Sequence, residues 1–175
     1  MNKKIRTILL LGAIILILAS IYIIIIKKQE NEDIKVEEEK VTFEISDITA
    51  NANDEITINI KMIEDASFVA GNFELLYDSE KMEYIKYEKG QILEEAAMSI
   101  VNNNESDSKV SIAYVSDPQN ETNCIPKGEL IKITFKINET VSNTKISPQF
   151  ECSTLKDKEG NDIKFTINQG TITIK

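Results

Sequence analysis

Regular alternation of apolar and polar residues, running from Val41 almost to the C-terminus, is the feature that most limits what this chain can fold into. Between positions 55 and 62 every second residue is Ile or Met and the others are polar, and segments 41–45 and 131–137 repeat the pattern. A period of two buries one face of a β-strand. Residues that favour turns, as in segments 51–54 and 159–162, separate the repeats. The pattern predicts nine or ten short strands packed as an all-β sandwich.

The first 28 residues have a different composition. Residues 7–26 contain no charged side chain, and as a helix they would span about 30 Å, the thickness of a bilayer's hydrocarbon core. Lys3, Lys4 and Arg6 precede this run as in an export signal, but no Ala-x-Ala cleavage site follows it. We therefore expect residues 1–28 to be a signal-anchor and transmembrane segment, with a cleaved signal peptide as the alternative.

The orientation of this segment rests on its signal-like start, because basic residues flank it in nearly equal number on both sides. That start places the N-terminus in the cytoplasm and the folded domain outside the cell. Residues 29–40 are rich in acidic side chains and contain only two aliphatic ones, too few to bury. We expect an extended acidic linker there, followed by one β-sandwich domain over residues 41–175 of a single-pass cell-membrane protein.

Charge and composition exclude several kinds of partner and cofactor. Beyond residue 28 the chain has fifteen basic and 29 acidic residues, a net charge of −14, which repels nucleic-acid phosphates. There is no His, and two cysteines alone do not make a zinc site. Cys124 and Cys152 are either separate thiols or a disulfide, which an exported chain permits. We expect no cofactor and no bound metal.

The acidic residues do not form a recognisable catalytic or calcium-binding motif. Segment 157–162 places oxygen ligands around Gly160, but it is shorter than an EF-hand loop and lacks the distal Glu, so it predicts a hairpin turn. Glycoside hydrolysis needs two carboxyl groups in a cleft, one of them buried, whereas nearly all acids here occupy outward strand positions or turns. Neither a Gly-rich phosphate loop nor a nucleophile with a base is visible in the sequence. We expect a protein that is not an enzyme.

Several segments, through their order and spacing, resemble the cohesin domains. Residues 70–78 (Ala-Gly-Asn-Phe-Glu-Leu-Leu-Tyr-Asp) are similar to a cohesin strand that ends in Tyr-Asp, and Met82-Glu83 and Gly90-Gln-Ile92 follow as in that family. The resemblance covers about residues 41–174. It implies a nine-stranded jelly-roll sandwich that binds dockerin modules, which attach polysaccharide-degrading enzymes to scaffolds or cell surfaces. The other matching segments are 110–117, 126–135, 157–163 and 169–174.

The resemblance also implies that a flat sheet surface binds the partner, and the period of two indicates which residues lie on it. If Phe73, Leu75 and Tyr77 point inward on one strand, and Ile112 and Tyr114 on another, the residues between them point outward. The expected partner-binding residues are Ala70, Asn72, Glu74 and Leu76 on the first strand, Ser111, Ala113 and Val115 on the second with Ser116 following at its end, and Asn102 on a neighbouring short strand.

Three of these positions differ from the family pattern. Ala70 and Asn72 stand where well-studied cohesins have Asn and Asp, and Ser116 stands where they have Glu. These departures put standard dockerin specificity, though not the fold, in doubt.

The expected function is that of a membrane-anchored extracellular module that recruits dockerin-bearing, polysaccharide-degrading proteins. Two other functions fit a sandwich. A carbohydrate-binding module would bind polysaccharide, although only Tyr84 and Tyr87 are available as stacking rings and Trp is absent. A structural surface protein would self-associate through exposed apolar residues.

Overall fold

The computed structural model describes residues 40–116 and 124–175. These residues contain twelve β-strands, one short α-helix and one turn of 3-10 helix at Glu105–Asp107. The elements are β1 Lys40–Ile45, β2 Ile48–Ala50, β3 Glu55–Met62, β4 Ala70–Leu76, β5 Met82–Lys89, α1 Gln91–Glu94, β6 Met98–Asn104, β7 Lys109–Val115, β8 Gly128–Ile137, β9 Thr144–Ile146, β10 Gln149–Lys156, β11 Lys164–Asn168 and β12 Ile172–Ile174.

The strands form two main sheets and one small sheet. The first main sheet has the order β11-β1-β3-β8-β5, and the second has the order β10-β4-β7-β6. The small sheet has the order β2-β12-β9. β11 pairs in parallel with β1, and β12 in parallel with β2; the other named strand pairs of the described residues are antiparallel.

The core lies where the two main sheets pack face to face, and aromatic rings join them. Phe43 on β1 meets Phe73 on β4 and Phe150 on β10, with ring centroids 5.2 and 5.8 Å away and the rings edge-on. Edge-on contacts at this distance are favourable beyond the apolar area they bury. Each of these side chains occupies an inward position of the alternating pattern, and each is fully buried. The predicted all-β sandwich is confirmed.

The expected strand number, nine or ten from the pattern and nine from the resemblance, was wrong, because the described residues hold twelve strands. The additional ones include β2 and β9, which are three residues long and therefore too short to show an alternating pattern. They are strands because β12 pairs with both of them.

Residues Glu38–Lys175 form one compact unit. In the described part of this chain, no helix is long and apolar enough to cross a bilayer. The predicted transmembrane segment and all of the predicted linker except Lys40 lie outside the described residues.

The two cysteines are separate thiols, which was one of the two alternatives. Cys124 is exposed, whereas Cys152 on β10 is half-buried and lies 3.4 Å from the carbonyl oxygen of Thr154. Burial raises the pKa of Cys152 to about 11. Its thiol is therefore protonated and unreactive at neutral pH.

Candidate protein-binding face

On the outward side of the sheet β10-β4-β7-β6, the side chains form four rows that run across the strands. The rows are regular because β4, β7 and β6 pair in a continuous register with no bulge. Neighbouring rows are about 7 Å apart along the strands and neighbouring strands about 5 Å apart. We call this surface the outer face. Its rows, read from β6 to β10, are Met98–Val115–Ala70–Lys156, Ile100–Ala113–Asn72–Thr154, Asn102–Ser111–Glu74–Glu151 and Asn104–Lys109–Leu76–Gln149.

Eight of the nine residues expected to bind a partner lie together on the outer face. On β4 and β7 every second residue, such as Phe73 or Ile112, is buried in the core. The residues that alternate with these buried ones therefore point outward. None of the eight is fully buried. They are Ala70, Asn72, Glu74, Leu76, Asn102, Ser111, Ala113 and Val115.

Ser116 does not contribute to the outer face. Only 8% of its surface is exposed, because the alternation that points Ile112 and Tyr114 inward continues one residue past the end of β7. It lines a cavity of about 60 Å³ together with Tyr114, Ile125 and residues of α1. Burial raises the pKa of Tyr114 to about 12, so this hydroxyl stays neutral.

An apolar stripe runs along the β6 edge of the outer face, and sequence reasoning missed its two most exposed residues. Met98 is 52% exposed, Ile100 is 56% exposed, and Val115 beside Met98 is 37% exposed. These are three of the seven large hydrophobic residues that the described structure leaves exposed. With Ala113 and Ala70 they occupy neighbouring positions in the first two rows. We call these five residues the apolar stripe.

The signal that would have revealed the missing residues is the same period of two. Asn102 was expected on the face, and stepping back by two positions along β6 gives Ile100 and Met98. Their exposure could not be predicted, because a sequence does not show that β6 is an edge strand with one face fully open. The register of β6 against β7 supplies that information.

The third and fourth rows are polar except for Leu76. Lys109 forms an ion pair with Glu74, with 3.0 Å between Nζ and Oε1. Ser111 on β7 and Glu151 on β10 flank Glu74, and Asn102 lies beyond Ser111 on β6. The outer face therefore combines an apolar stripe with a polar half, the mixed composition found at protein–protein interfaces.

Among the described residues, segment 157–162 forms a hydrogen-bonded turn. No group of three or more Cys, Asp or Glu residues in the described part of the chain is placed to hold a metal ion. The carboxylate of Asp157 accepts hydrogen bonds from the backbone and side-chain nitrogens of Asn161, at 2.8 and 2.9 Å. These bonds hold the pKa of Asp157 below its usual value and close a hairpin turn, as the sequence predicted.

The outer face also lacks the aromatic platform of a flat polysaccharide-binding site. No aromatic side chain stands in its four rows. Tyr84 and Tyr87 lie on β5 in the other main sheet. Tyr84 packs edge-on against Phe135, with 6.0 Å between ring centroids.

The family model of the cohesin domain matches residues 41–174, which is the whole sandwich. This chain belongs to the cohesin family. Cohesin domains are modules that bind dockerins and have no enzymatic activity, in agreement with an outer face that has the composition of a protein contact. The resemblance recognised in the sequence is thereby confirmed.

Solved cohesins share the fold at low sequence identity. The cohesin of OlpA from Clostridium thermocellum, in complex with a dockerin, superposes with a TM-score of 0.67 at 20% identity, over 78% of this chain and 99% of that one. A non-cellulosomal cohesin from Archaeoglobus fulgidus superposes with a TM-score of 0.64 at 15% identity, over 78% of this chain and 91% of that one. CaCohA2 from Clostridium acetobutylicum superposes with a TM-score of 0.65 at 19% identity, over 79% of this chain and 92% of that one. No curated protein sequence matches this cohesin significantly.

Proposed function

We propose that this cohesin is anchored in the cell membrane by its N-terminal segment and recruits dockerin-bearing, polysaccharide-degrading proteins to the cell surface through the outer face. The single observation that carries this proposal is the apolar stripe on an otherwise polar sheet. Met98 and Ile100 are more than half exposed, and burying them against a partner contributes about 25 cal/mol for each Å² removed from water.

The structural neighbours support the identity of the partner class. The cohesins of OlpA and OlpC from Clostridium thermocellum were both solved in complex with dockerins. Their identity to this chain is 20% and 21%, so they support the type of partner and not a particular dockerin.

The departures from the family pattern favour a dockerin of different specificity. Ala70 and Asn72 stand where well-studied cohesins carry Asn and Asp, and Ser116 is buried. Ala70 belongs to the apolar stripe, and Asn72 lies beside Ala113 in the second row. Apolar contact therefore takes over part of the recognition that polar anchors perform in those relatives.

Membrane anchoring is supported by the sequence. Residues 7–26 are uncharged and long enough to span a bilayer, and the acidic segment that follows gives the sandwich distance from the membrane surface. The net charge of −14 beyond residue 28 also repels anionic lipid headgroups, which suits a domain held away from the bilayer.

Calorimetric titration of the purified protein against a panel of dockerins, and separately against cellulose, tests the binding function. We expect saturable 1:1 binding to at least one dockerin, with a negative heat-capacity change because apolar surface is buried. Cellulose serves as the matched probe for the carbohydrate-binding alternative. Binding to cellulose with no binding to any dockerin would contradict the proposal.

Chemical labelling of Cys124 tests on which side of the cell membrane the sandwich lies. This thiol is exposed, whereas Cys152 is half-buried and protonated at neutral pH. We expect a membrane-impermeant maleimide to label intact cells, and a Cys124→Ser variant to lose the label. Labelling that appears only after the cells are permeabilised would place the sandwich inside the cell.

A further inference from the structure

Glu151 is the one charged side chain of the outer face whose charge is not balanced within the described structure. The face carries four charged groups. Lys109 pairs with Glu74 at 3.0 Å, and Lys156 pairs with Asp162 at 2.8 Å. Glu151 is exposed and has no ion pair among residues 40–116 and 124–175.

The position of Glu151 makes its exposed charge unfavourable for the isolated domain. Glu151 and Glu74 are direct cross-strand neighbours on β10 and β4. Like charges directly opposite each other on one face destabilise a sheet, and Lys109 compensates only Glu74. A cation from outside the domain would relieve this repulsion.

Glu151 and the two most exposed residues of the apolar stripe, Met98 and Ile100, lie on opposite edge strands of the outer face. Ile100 and Glu151 are three strands and one row apart, which corresponds to about 16 Å between their Cα atoms at standard strand spacing. Both lie within the roughly 800 Å² that each partner buries in an interface of standard size. One bound partner can therefore contact both.

We propose that the dockerin recognised by this cohesin carries an apolar cluster for the stripe and, about 16 Å from the part that covers Ile100, a basic side chain that pairs with Glu151. This inference rests on the proposed function and specifies the chemistry of the partner. The stripe supplies apolar burial, and the Glu151 charge sets which dockerins are accepted and in which orientation. Because Glu151 stands on one edge strand and Met98 and Ile100 on the other, a partner docked in the reversed orientation would place its basic group over Met98 and Ile100.

The test uses the full chain in detergent micelles and the panel of dockerins. The panel includes Doc918, Doc435 and CaDoc0917, which were crystallised with other cohesins, CaDoc0917 as a substituted variant. Binding of the tightest of them is measured for wild type, Glu151→Gln and Glu151→Lys at low and high salt. We expect Glu151→Lys to weaken binding by about tenfold, mainly through slower association. We also expect added salt to weaken wild-type binding more than binding by Glu151→Gln, since screening acts on the exposed pair.

Glu55→Lys is the matched control. Glu55 is also an exposed strand residue, but it lies on β3 in the other main sheet, opposite Lys136. The Glu55→Lys substitution should leave dockerin affinity within about twofold of wild type.

Equal affinity of wild type and Glu151→Lys for a dockerin that does bind would overturn this inference and leave the proposed function intact. Failure of every dockerin in the panel to bind the wild-type chain would overturn the proposed function, and this inference with it.

Discussion

Replacing Ala113 with arginine is expected to weaken dockerin binding by at least about 100-fold, equivalent to about 2.7 kcal/mol. Ala113 stands in the second row between Ile100 and Asn72, near the centre of the outer face. An arginine there would project a long charged side chain over the apolar stripe. A partner could then neither reach Ile100 nor bury the guanidinium without an ionic partner. Calorimetric titration of the variant with the tightest-binding dockerin measures the loss.

Thr57→Arg provides the control for this substitution. Thr57 is an exposed residue on β3, a central strand of the other main sheet, so the same added side chain is presented on the opposite surface. We expect its dockerin affinity to equal that of wild type. Equal loss of affinity in both variants would show that the arginine acts on folding or solubility, and the assignment of the outer face would be wrong.

Replacing Phe73 with alanine is expected to reduce the free energy of unfolding by about 3–5 kcal/mol. The ring is 1% exposed and packs against Phe43 at 5.2 Å and Phe150 at 5.8 Å. It also lies over Gly71, where a Cβ atom would come within 2.7 Å of the ring. Because Gly71 has no side chain that could fill the space, the cavity left by the ring would stay open. Urea denaturation followed by far-ultraviolet circular dichroism measures the change.

A loss of this size is a large fraction of the total stability of a domain, which is about 5–15 kcal/mol. Phe165→Ala is the matched control, because Phe165 is 38% exposed on the edge strand β11. It should cost less than about 1 kcal/mol. If both variants were destabilised equally, the two sheets would not be held together by the Phe43, Phe73 and Phe150 rings.

The sandwich could be predicted because the period of two records which residues are buried. Phe73, Leu75 and Ile112 were expected to face inward, and each is at most 2% exposed. Strands of three residues carry too few side chains to show a period, so β2 and β9 were not predicted. Their pairing with β12 depends on residues far apart in the chain, which local patterns do not reveal.

The outer face was predictable in part for the same reason. Outward positions on β4 and β7 followed directly from their inward neighbours, and their pairing brings these positions together. The exposure of Met98 and Ile100 depends on β6 being the last strand of its sheet, which is a property of topology. Ser116 was placed on the face by comparison with relatives, whereas its own position in the alternation points it inward.

The pairing of β1 has a mechanical consequence for a tethered receptor. The described chain begins at Lys40, and β1 is held on one side by β11 in parallel and on the other by β3. Hydrogen bonds between strands run across the strand direction. If the chain is anchored as proposed, tension applied to the start of β1 along its own axis would load both ladders in shear. Several hydrogen bonds would then have to break together before β1 separated from β11 and β3.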